Sequence, residues 1–360
     1  MPSPPMSTDA SSVVLNARFL GQELTGVQRY GREMLARFGN RVEAIRPESD
    51  LSAIRGHLWE QLTLPRLCGG RLLWSPGNTG PLSVRHQVVT IHDVGTLDHP
   101  EWFARKFALW YRFLTPRLAR KVRRVLTVSE FSRHRVIETC GVAPERVVAI
   151  PNGVDGRFQP VGAEILDLFR KKHQLDRPYF LYLGALEPRK NVATLLEAWK
   201  RPGLEECDLV LAGAAGRVFR DRGFTELPAR TRLWGRVADG DLPALLSGAL
   251  GFVYPSLYEG FGLPALEAMA CGCPILISNT TSLPEVGGAT FEPQSQTGTA
   301  LYFTPTDADE MAGRMRQILA LNEADRTGLI ARAKHRADEF SWDRTAALTA
   351  TVLEEAMAES

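Results

Sequence analysis

Short apolar runs rich in β-branched residues alternate along this chain with longer stretches in which apolar positions recur every three or four residues. Runs of about four apolar residues bounded by turn residues predict strands buried on both faces, and the longer stretches predict the helices that cover them. In the first half, strands are predicted near 13–16, 42–45, 72–74, 88–91, 125–128 and 147–150. In the second half they are predicted near 180–183, 209–212, 233–235, 252–254, 275–278 and 301–303. Such alternation predicts α/β architecture with parallel sheets, here as two doubly wound halves. Turn residues cluster at Pro151-Asn152-Gly153-Val154-Asp155, which places the join around Phe158 to Gly162. The expected division is a disordered stretch 1–12, a first domain 13–158, a second domain 159–341 and a closing helix 342–360.

Composition narrows the class. The 360 residues suffice for two domains of ordinary size, and 44% hydrophobic with 23% charged residues exclude a disordered chain. A net charge of +2 supplies no global reason to expect a nucleic-acid partner. The five cysteines lie scattered in apolar runs, unlike a disulfide framework, and point to a reducing compartment. Cys271 and Cys273 lack a second pair or a nearby histidine and read as small packing residues. The start M-P-S-P-P-M-S-T-D-A-S-S has no basic and apolar leader, and no stretch approaches the length of a membrane span, so a cytoplasmic location is expected.

The chemistry concentrates between Tyr254 and Asn279, Y-P-S-L-Y-E-G-F-G-L-P-A-L-E-A-M-A-C-G-C-P-I-L-I-S-N. This reads as a strand end, a glycine turn, a short helix with Pro264 at its first position, and the next strand. Gly260 and Gly262 allow a ligand to approach the backbone, and a helix start suits an anion such as phosphate. Glu259 and Glu267 flank the turn; carboxylates beside a phosphate are costly unless they accept from neutral hydroxyls. That combination suits a sugar nucleotide. Gly260-Phe261-Gly262-Leu263-Pro264-Ala265 also matches the dinucleotide G-x-G-x-x-A pattern, but Ser278-Asn279 stands where that reading wants an acid for the ribose.

The E-x7-E spacing inside E-G-F-G-L-P-A-L-E-A-M-A-C-G-C-P resembles the signature of the retaining GT-B glycosyltransferases of family 4, and the resemblance covers nearly the whole chain after residue 12. It implies the GT-B fold, two Rossmann-like domains facing a cleft with a final helix crossing back to the first. It further implies Glu259 facing donor sugar and diphosphate, Glu267 holding ribose hydroxyls, and the backbone of Phe261, Gly262 and Leu263 lining sugar and phosphates. In E-P-R-K-N, Arg189 and Lys190 precede a helix starting near Asn191, and the resemblance makes them the cations that stabilise the leaving diphosphate. Many relatives carry Arg directly after the glycine, where Ala185 stands here.

Elsewhere the same resemblance assigns further residues. Gly26 in T-G-V-Q-R-Y meets the donor diphosphate from the opposite domain, or is only an N-cap turn. His92, at the end of an apolar strand, faces the transferred sugar, while Asp93 orients its loop or meets acceptor hydroxyls. Ser129 caps a helix and borders the acceptor side. Val237, after Trp234-Gly235-Arg236, meets the nucleotide base. Leu58-Trp59-Glu60-Gln61-Leu62 and Trp74-Ser75-Pro76-Gly77-Asn78 receive no role. The Ala212-Gly213-Ala214-Ala215-Gly216 turn shapes the donor loop or is a plain βα turn. Residues 102–124, a basic and aromatic pattern read as a helix pair, fit either an anionic membrane surface or a domain core with a solvated face. Asp307-Ala308-Asp309 spells D-x-D, a metal motif in other glycosyltransferases, but Thr306 with Asp309 three residues on reads as a helix cap. Residues 289–299 read as a polar insertion.

Together T-G-V-Q-R-Y, E-P-R-K-N and S-L-P-E-V-G-G resemble bacterial polysaccharide and O-antigen mannosyltransferases, which implies transfer of a hexose, mannose from GDP-mannose, to a saccharide or lipid-linked saccharide in bacterial surface polysaccharide synthesis. No cofactor or metal is expected, and no side-chain nucleophile. Another UDP or GDP hexose donor, a sugar-nucleotide epimerase, and a non-catalytic nucleotide-sugar sensor are the alternatives.

Overall fold

Two six-stranded sheets organise the chain in a computed structural model that describes residues 12–49, 51–213, 227–292 and 297–359. Residues 1–11 of the stretch 1–12 expected to be disordered, and the Ala214 to Gly216 part of the glycine turn, lie outside these residues. Two compact units result. One runs to Gly153 and takes up the chain again from Ser341; the other is Val154–Phe340.

In the first unit the strands are β1 (Val13–Asn16), β2 (Glu43–Ile45), β3 (Leu72–Ser75), β4 (Gln87–Thr90), β5 (Arg124–Thr127) and β6 (Val147–Ala149), in the parallel order β2-β1-β3-β4-β5-β6. All four residues of β1, β3 and β4 are buried, as expected of strands covered on both faces. β2 differs: Glu43 and Ala44 are exposed at the sheet edge, where the Arg71–Glu43 ion pair places charge beside the open ladder.

The second unit repeats the plan with β7 (Tyr179–Leu183), β8 (Asp208–Ala212), β9 (Thr231–Gly235), β10 (Gly251–Tyr254), β11 (Ile275–Ser278) and β12 (Leu301–Phe303). Its parallel order is β12-β11-β10-β7-β8-β9. In each sheet the strand order reverses once, between β1 and β3 and between β7 and β10. At such a reversal the connections leave the strand C-termini in opposite directions, so a crevice opens there.

Three expectations are corrected. The 102–124 pattern is not a helix pair: one helix, Arg105–Lys121, carries Pro116 inside it and buries Ala108, Leu114, Thr115, Leu118 and Ala119. The cap of Ala308–Leu319 is Asp307 rather than Thr306, its carboxylate accepting from the Asp309 and Glu310 amides at 3.0 and 2.9 Å. Asp309 instead faces Arg201 at 2.6 Å. Pro264 stands second rather than first in its helix, Leu263–Ala270. Within 289–299, the described ends bridge Thr290 to Ala300 and Glu292 to Thr297, and Phe291 is buried.

The closing helix, Trp342–Ala358, belongs to the first unit. Trp342 is buried against Tyr30 at 6.1 Å, and the Thr345 hydroxyl donates to the Pro151 carbonyl at 2.7 Å. Gly153 makes this return possible: a Cβ there would lie 2.0 Å from the Trp342 amide nitrogen and 2.4 Å from the Ser341 carbonyl carbon. Gly153→Ala is therefore expected to destabilise the first unit by at least about 3 kcal/mol. Gly156→Ala, where a Cβ meets nothing within 4 Å, is expected to stay within about 0.5 kcal/mol. Urea titration of both variants checks this.

Candidate active site

At the reversal in the second unit, the segments leaving β7 and β10 bring charge together. The 3-10 turn Pro188–Lys190 places Lys190, 7% exposed, against Glu259, 6% exposed. Lys190 Nζ forms a direct ion pair with Glu259 and donates to the Tyr254 hydroxyl at 2.6 Å. Arg189 lies 3.4 Å from the same carboxylate and 2.7 Å from Glu187. The Leu257 amide donates to the Arg189 carbonyl at 2.8 Å and joins the two segments.

The electrostatics follow from this packing. Burial would raise the Glu259 carboxyl, but the Lys190 and Arg189 charges outweigh it and hold it down to about 2. Burial, then Arg189's charge, draws Lys190 below the usual lysine range, with Glu259 opposing. Burial and the Glu259 charge push the Tyr254 phenol up, so it stays protonated. The result is an ionised carboxylate held by two fixed cations.

The glycine turn is equally fixed. The Ser282 hydroxyl lies 2.9 Å from the Glu259 carbonyl and 3.0 Å from that of Phe261, and Glu259 N donates to the Thr281 hydroxyl at 3.2 Å. Gly262 caps the helix at φ 112°, and a Cβ there would meet Leu283 at 2.7 Å. Only glycine fits both the angle and the space. Phe261 and Leu263 turn their side chains into the protein, and Glu267 is buried one turn into the helix.

The first unit gathers a second group of residues beside its own reversal. His92 follows β4 and is 6% exposed. Its Nε2–H donates to the Pro76 carbonyl at 2.9 Å, and its amide donates to Asn78 Oδ1 at 2.7 Å. Burial draws the imidazole below its ordinary pKa, so it is neutral with the lone pair on Nδ1. Tyr30 stands edge-on at 4.8 Å. Asp93 orients its loop by accepting from the Gly95 amide at 2.9 Å. Ser129 caps Glu130–Cys140, accepting from the Ser132 amide at 3.0 Å, and the Ser132 hydroxyl reaches the His92 carbonyl at 3.0 Å. Gly26 opens the helix Gly26–Phe38, one turn before Tyr30.

The structure thus brings Arg189, Lys190, Glu259, Phe261, Gly262, Leu263 and Glu267 into one neighbourhood, and His92, Asp93 and Ser129 into another. Val237 lies on the segment after the edge strand β9, three places from β10 in the sheet. Sequence reasoning missed Tyr254, Tyr30 and Ser282. A tyrosine ending a buried strand was the available signal for the first, since its hydroxyl emerges where the loops begin.

Comparison with known proteins follows the same outline. A profile described as Glycosyl transferases group 1 matches residues 166–336, and one described as Glycosyltransferase Family 4 matches residues 68–157. An O-antigen chain mannosyltransferase B of Escherichia coli is 34% identical over 273 residues, 73% of this chain and 68% of that protein. An MMP alpha-(1->4)-mannosyltransferase of Mycolicibacterium hassiacum is 31% identical over 287 residues, 77% and 65% of the two chains. Among solved structures, Anabaena HepE in complex with UDP and glucose superposes with a TM-score of 0.76 at 18% identity, covering 95% of this chain and 99% of that one.

The Glu259 ionisation is directly measurable. A carboxyl whose native pKa lies below its unfolded value adds stability that is fully present above about pH 4.5 and is lost as pH falls toward about 2. The contribution amounts to about 3 kcal/mol. In Glu259→Gln, the part of the acid-limb slope between pH 4.5 and 2 due to this group should vanish, while stability at neutral pH falls by about 3 kcal/mol because Lys190 loses its partner. Denaturant unfolding across pH checks both.

Proposed function

The chain belongs to the group 1 glycosyltransferases, a family of enzymes, and from that premise we propose that it transfers mannose from GDP-mannose to a saccharide or lipid-linked saccharide acceptor, with retention at the anomeric carbon, in bacterial surface polysaccharide synthesis. The observation that carries this reading is the buried Lys190–Glu259–Arg189 cluster beside the Gly262 helix start. A nucleoside diphosphate leaving group gains negative charge as the glycosidic bond breaks, and fixed cations in a dry site stabilise it without reorganising. The sugar is inferred from relatives named as mannosyltransferases, and the nucleotide from the resemblance of the sequence motifs.

In this reading Lys190 and Arg189 take the developing charge together with the backbone of Phe261, Gly262 and Leu263. Glu259, kept ionised, receives hydroxyls of the donor sugar, and Glu267 those of the ribose. Val237 meets the base and Gly26 the diphosphate. His92 holds the donor sugar through its neutral ring, with Asp93 and Ser129 on the acceptor side. Neither a metal ion nor a side-chain nucleophile takes part.

We place the enzyme on the inner face of the cytoplasmic membrane as a peripheral protein. No helix among the described residues is long and apolar enough to cross a membrane. However, Ile54, Leu58 and Leu62 form an exposed stripe on the helix Ala53–Leu62, at 74, 53 and 60% exposure. His57 on that helix packs 5.2 Å from Trp110 on Arg105–Lys121, which itself exposes Phe107, Leu109 and Phe113. Between Arg105 and Arg124 there are eight cations and no acid. Apolar side chains among lysines and arginines suit an anionic interface.

Three measurements test the reading. GDP and GDP-mannose should raise the melting temperature selectively and equally with EDTA present, a ligand at a hundredfold its Kd adding about 2.7 kcal/mol. Stabilisation by UDP sugars alone would change the donor; conversion without acceptor would make the protein an epimerase, and binding without turnover a sensor. Lys190→Ala should cut kcat/KM by about 10²–10³-fold, whereas Glu267→Ala should chiefly raise the donor Kd. Leu58→Ser with Phe113→Ser should weaken partition onto phosphatidylglycerol vesicles by about a hundredfold while leaving transfer to a soluble acceptor intact.

A further inference from the structure

The Leu58-Trp59-Glu60-Gln61-Leu62 segment, left without a role by its sequence, is where the first unit buries a charged network. Glu60 is 1% exposed. Its Oε1 accepts from Asn16 Nδ2 at 2.7 Å and from the Thr79 hydroxyl at 3.0 Å, with Arg18 Nε at 3.5 Å. Arg18 also donates to Thr79 at 2.9 Å, and His57 stands 3.6 Å from Oε2. Next to it, the Gln61 amide closes on the chain from both sides: its nitrogen donates to the Gly80 carbonyl at 2.8 Å, and its oxygen accepts from the Leu82 amide at 3.0 Å. Gln87 adds a third clamp, donating to the Pro81 and Val84 carbonyls at 3.1 Å each.

The bonds to Thr79, Gly80, Pro81, Leu82 and Val84 converge on one segment, residues 76–84, which has no strand or helix of its own. The same segment is what holds His92, through the Pro76 carbonyl on Nε2–H and the Asn78 side chain on the amide. Asn78 sits at φ 66°, in the left-handed region that asparagine adopts more readily than most side chains, and its amide donates to the Thr90 carbonyl at 3.0 Å. Neither contact to His92 is stronger than the segment that presents it. A hydrogen bond that selects a tautomer does so only while its acceptor stays in place.

We propose that Glu60 and Gln61 are positioning residues for His92, fixing the 76–82 segment so that the ring keeps its Nε2–H on the Pro76 carbonyl and its Nδ1 lone pair in a fixed direction. Glu60 holds the Thr79 end, Gln61 holds Gly80 to Leu82, and the ring orientation follows from both. The structural claim concerns the first unit alone; its catalytic consequence rests on the role given to His92 above.

The test reads the ring directly. The full-length protein is labelled with 15N-histidine, and long-range 1H–15N spectra are recorded for wild type, Glu60→Gln, Gln61→Met and Gln61→Glu, with His92→Gln identifying the resonance. Wild type should show a single Nε2–H tautomer for His92. Gln61→Met, similar in size but without either hydrogen bond, should give a tautomer mixture. It should also lower kcat about tenfold with the donor KM within twofold. Gln61→Glu keeps the acceptor for the Leu82 amide and should restore part of both. Glu60→Gln, isosteric but uncharged, should shift the His92 signals in the same direction. An unchanged His92 tautomer in folded Gln61→Met and Glu60→Gln overturns the proposal. A tautomer change with unaltered transfer supports the positioning and removes His92 from the reaction, so the two readings fail separately. If Gln61→Met does not fold, the milder Gln61→Glu and Glu60→Gln carry the same comparison.

Discussion

Two opposite charges inside a protein constrain everything around them. Lys190 and Glu259 are each less than a tenth exposed, and removing water from either ion costs several kcal/mol before their attraction is counted. Such a pair adds little stability over an apolar substitute of the same size, so its presence is not explained by folding. It is held because neighbouring groups complete it: the Tyr254 hydroxyl accepts a hydrogen bond from the ammonium, Arg189 reaches the far carboxylate oxygen, and Ser282 and Thr281 fix the backbone that carries Glu259. The second unit is built to keep positive charge dry and still. That is the condition under which a developing anion is stabilised most.

The place of this charge is set by topology, not by the charged residues themselves. β7 and β10 are separated by two intervening strands in sequence yet are neighbours in the sheet, so the turns that follow them diverge and leave room. The chain after Leu183, which reaches the turn Pro188–Lys190, and residues 255–262 after Tyr254 occupy that room. The same reversal between β1 and β3 in the first unit explains why Asn16, Ser75 and Thr79 meet there, and why a buried carboxylate, Glu60, can be satisfied among them.

Periodicity made nearly all of this fold legible. Each of the twelve expected strands exists, because a strand covered on both faces is a continuous apolar run. Small differences have physical causes. Ile91 and Ile150 read as strand ends, and their amides do continue the hydrogen-bonded ladder, to Leu126 and Thr127 carbonyls, although the strands stop one residue earlier. β2 and β9 are the faintest in sequence because they are edges, where Glu43 and Arg232 face water. The 102–124 segment read as two helices because its aromatics and cations surround Pro116; burial of Leu114 and Leu118 on either side carries one helix through. Lys190, Glu259 and the Gly262 turn were legible from local motifs. Tyr254 and Glu60 were not, since their partners lie 64 and 44 residues distant and only the folded sheet brings them together.

The two units hold their key groups by different physics, and the difference is itself informative. Around Glu259 the bonds are charge-assisted, and cations keep the carboxylate ionised. Around His92 the direct partners are neutral: a carbonyl, an amide side chain and a tyrosine edge, with burial keeping the ring uncharged. The charged network of the first unit is set back one layer, at Glu60 and Arg18, where it fixes backbone rather than facing the ring. A group that must meet a phosphate gains from fixed charge. A group that must accept a hydrogen bond from a hydroxyl gains from neutrality and a fixed lone pair. The chain supplies the first condition beside β7 and β10 and the second beside β4.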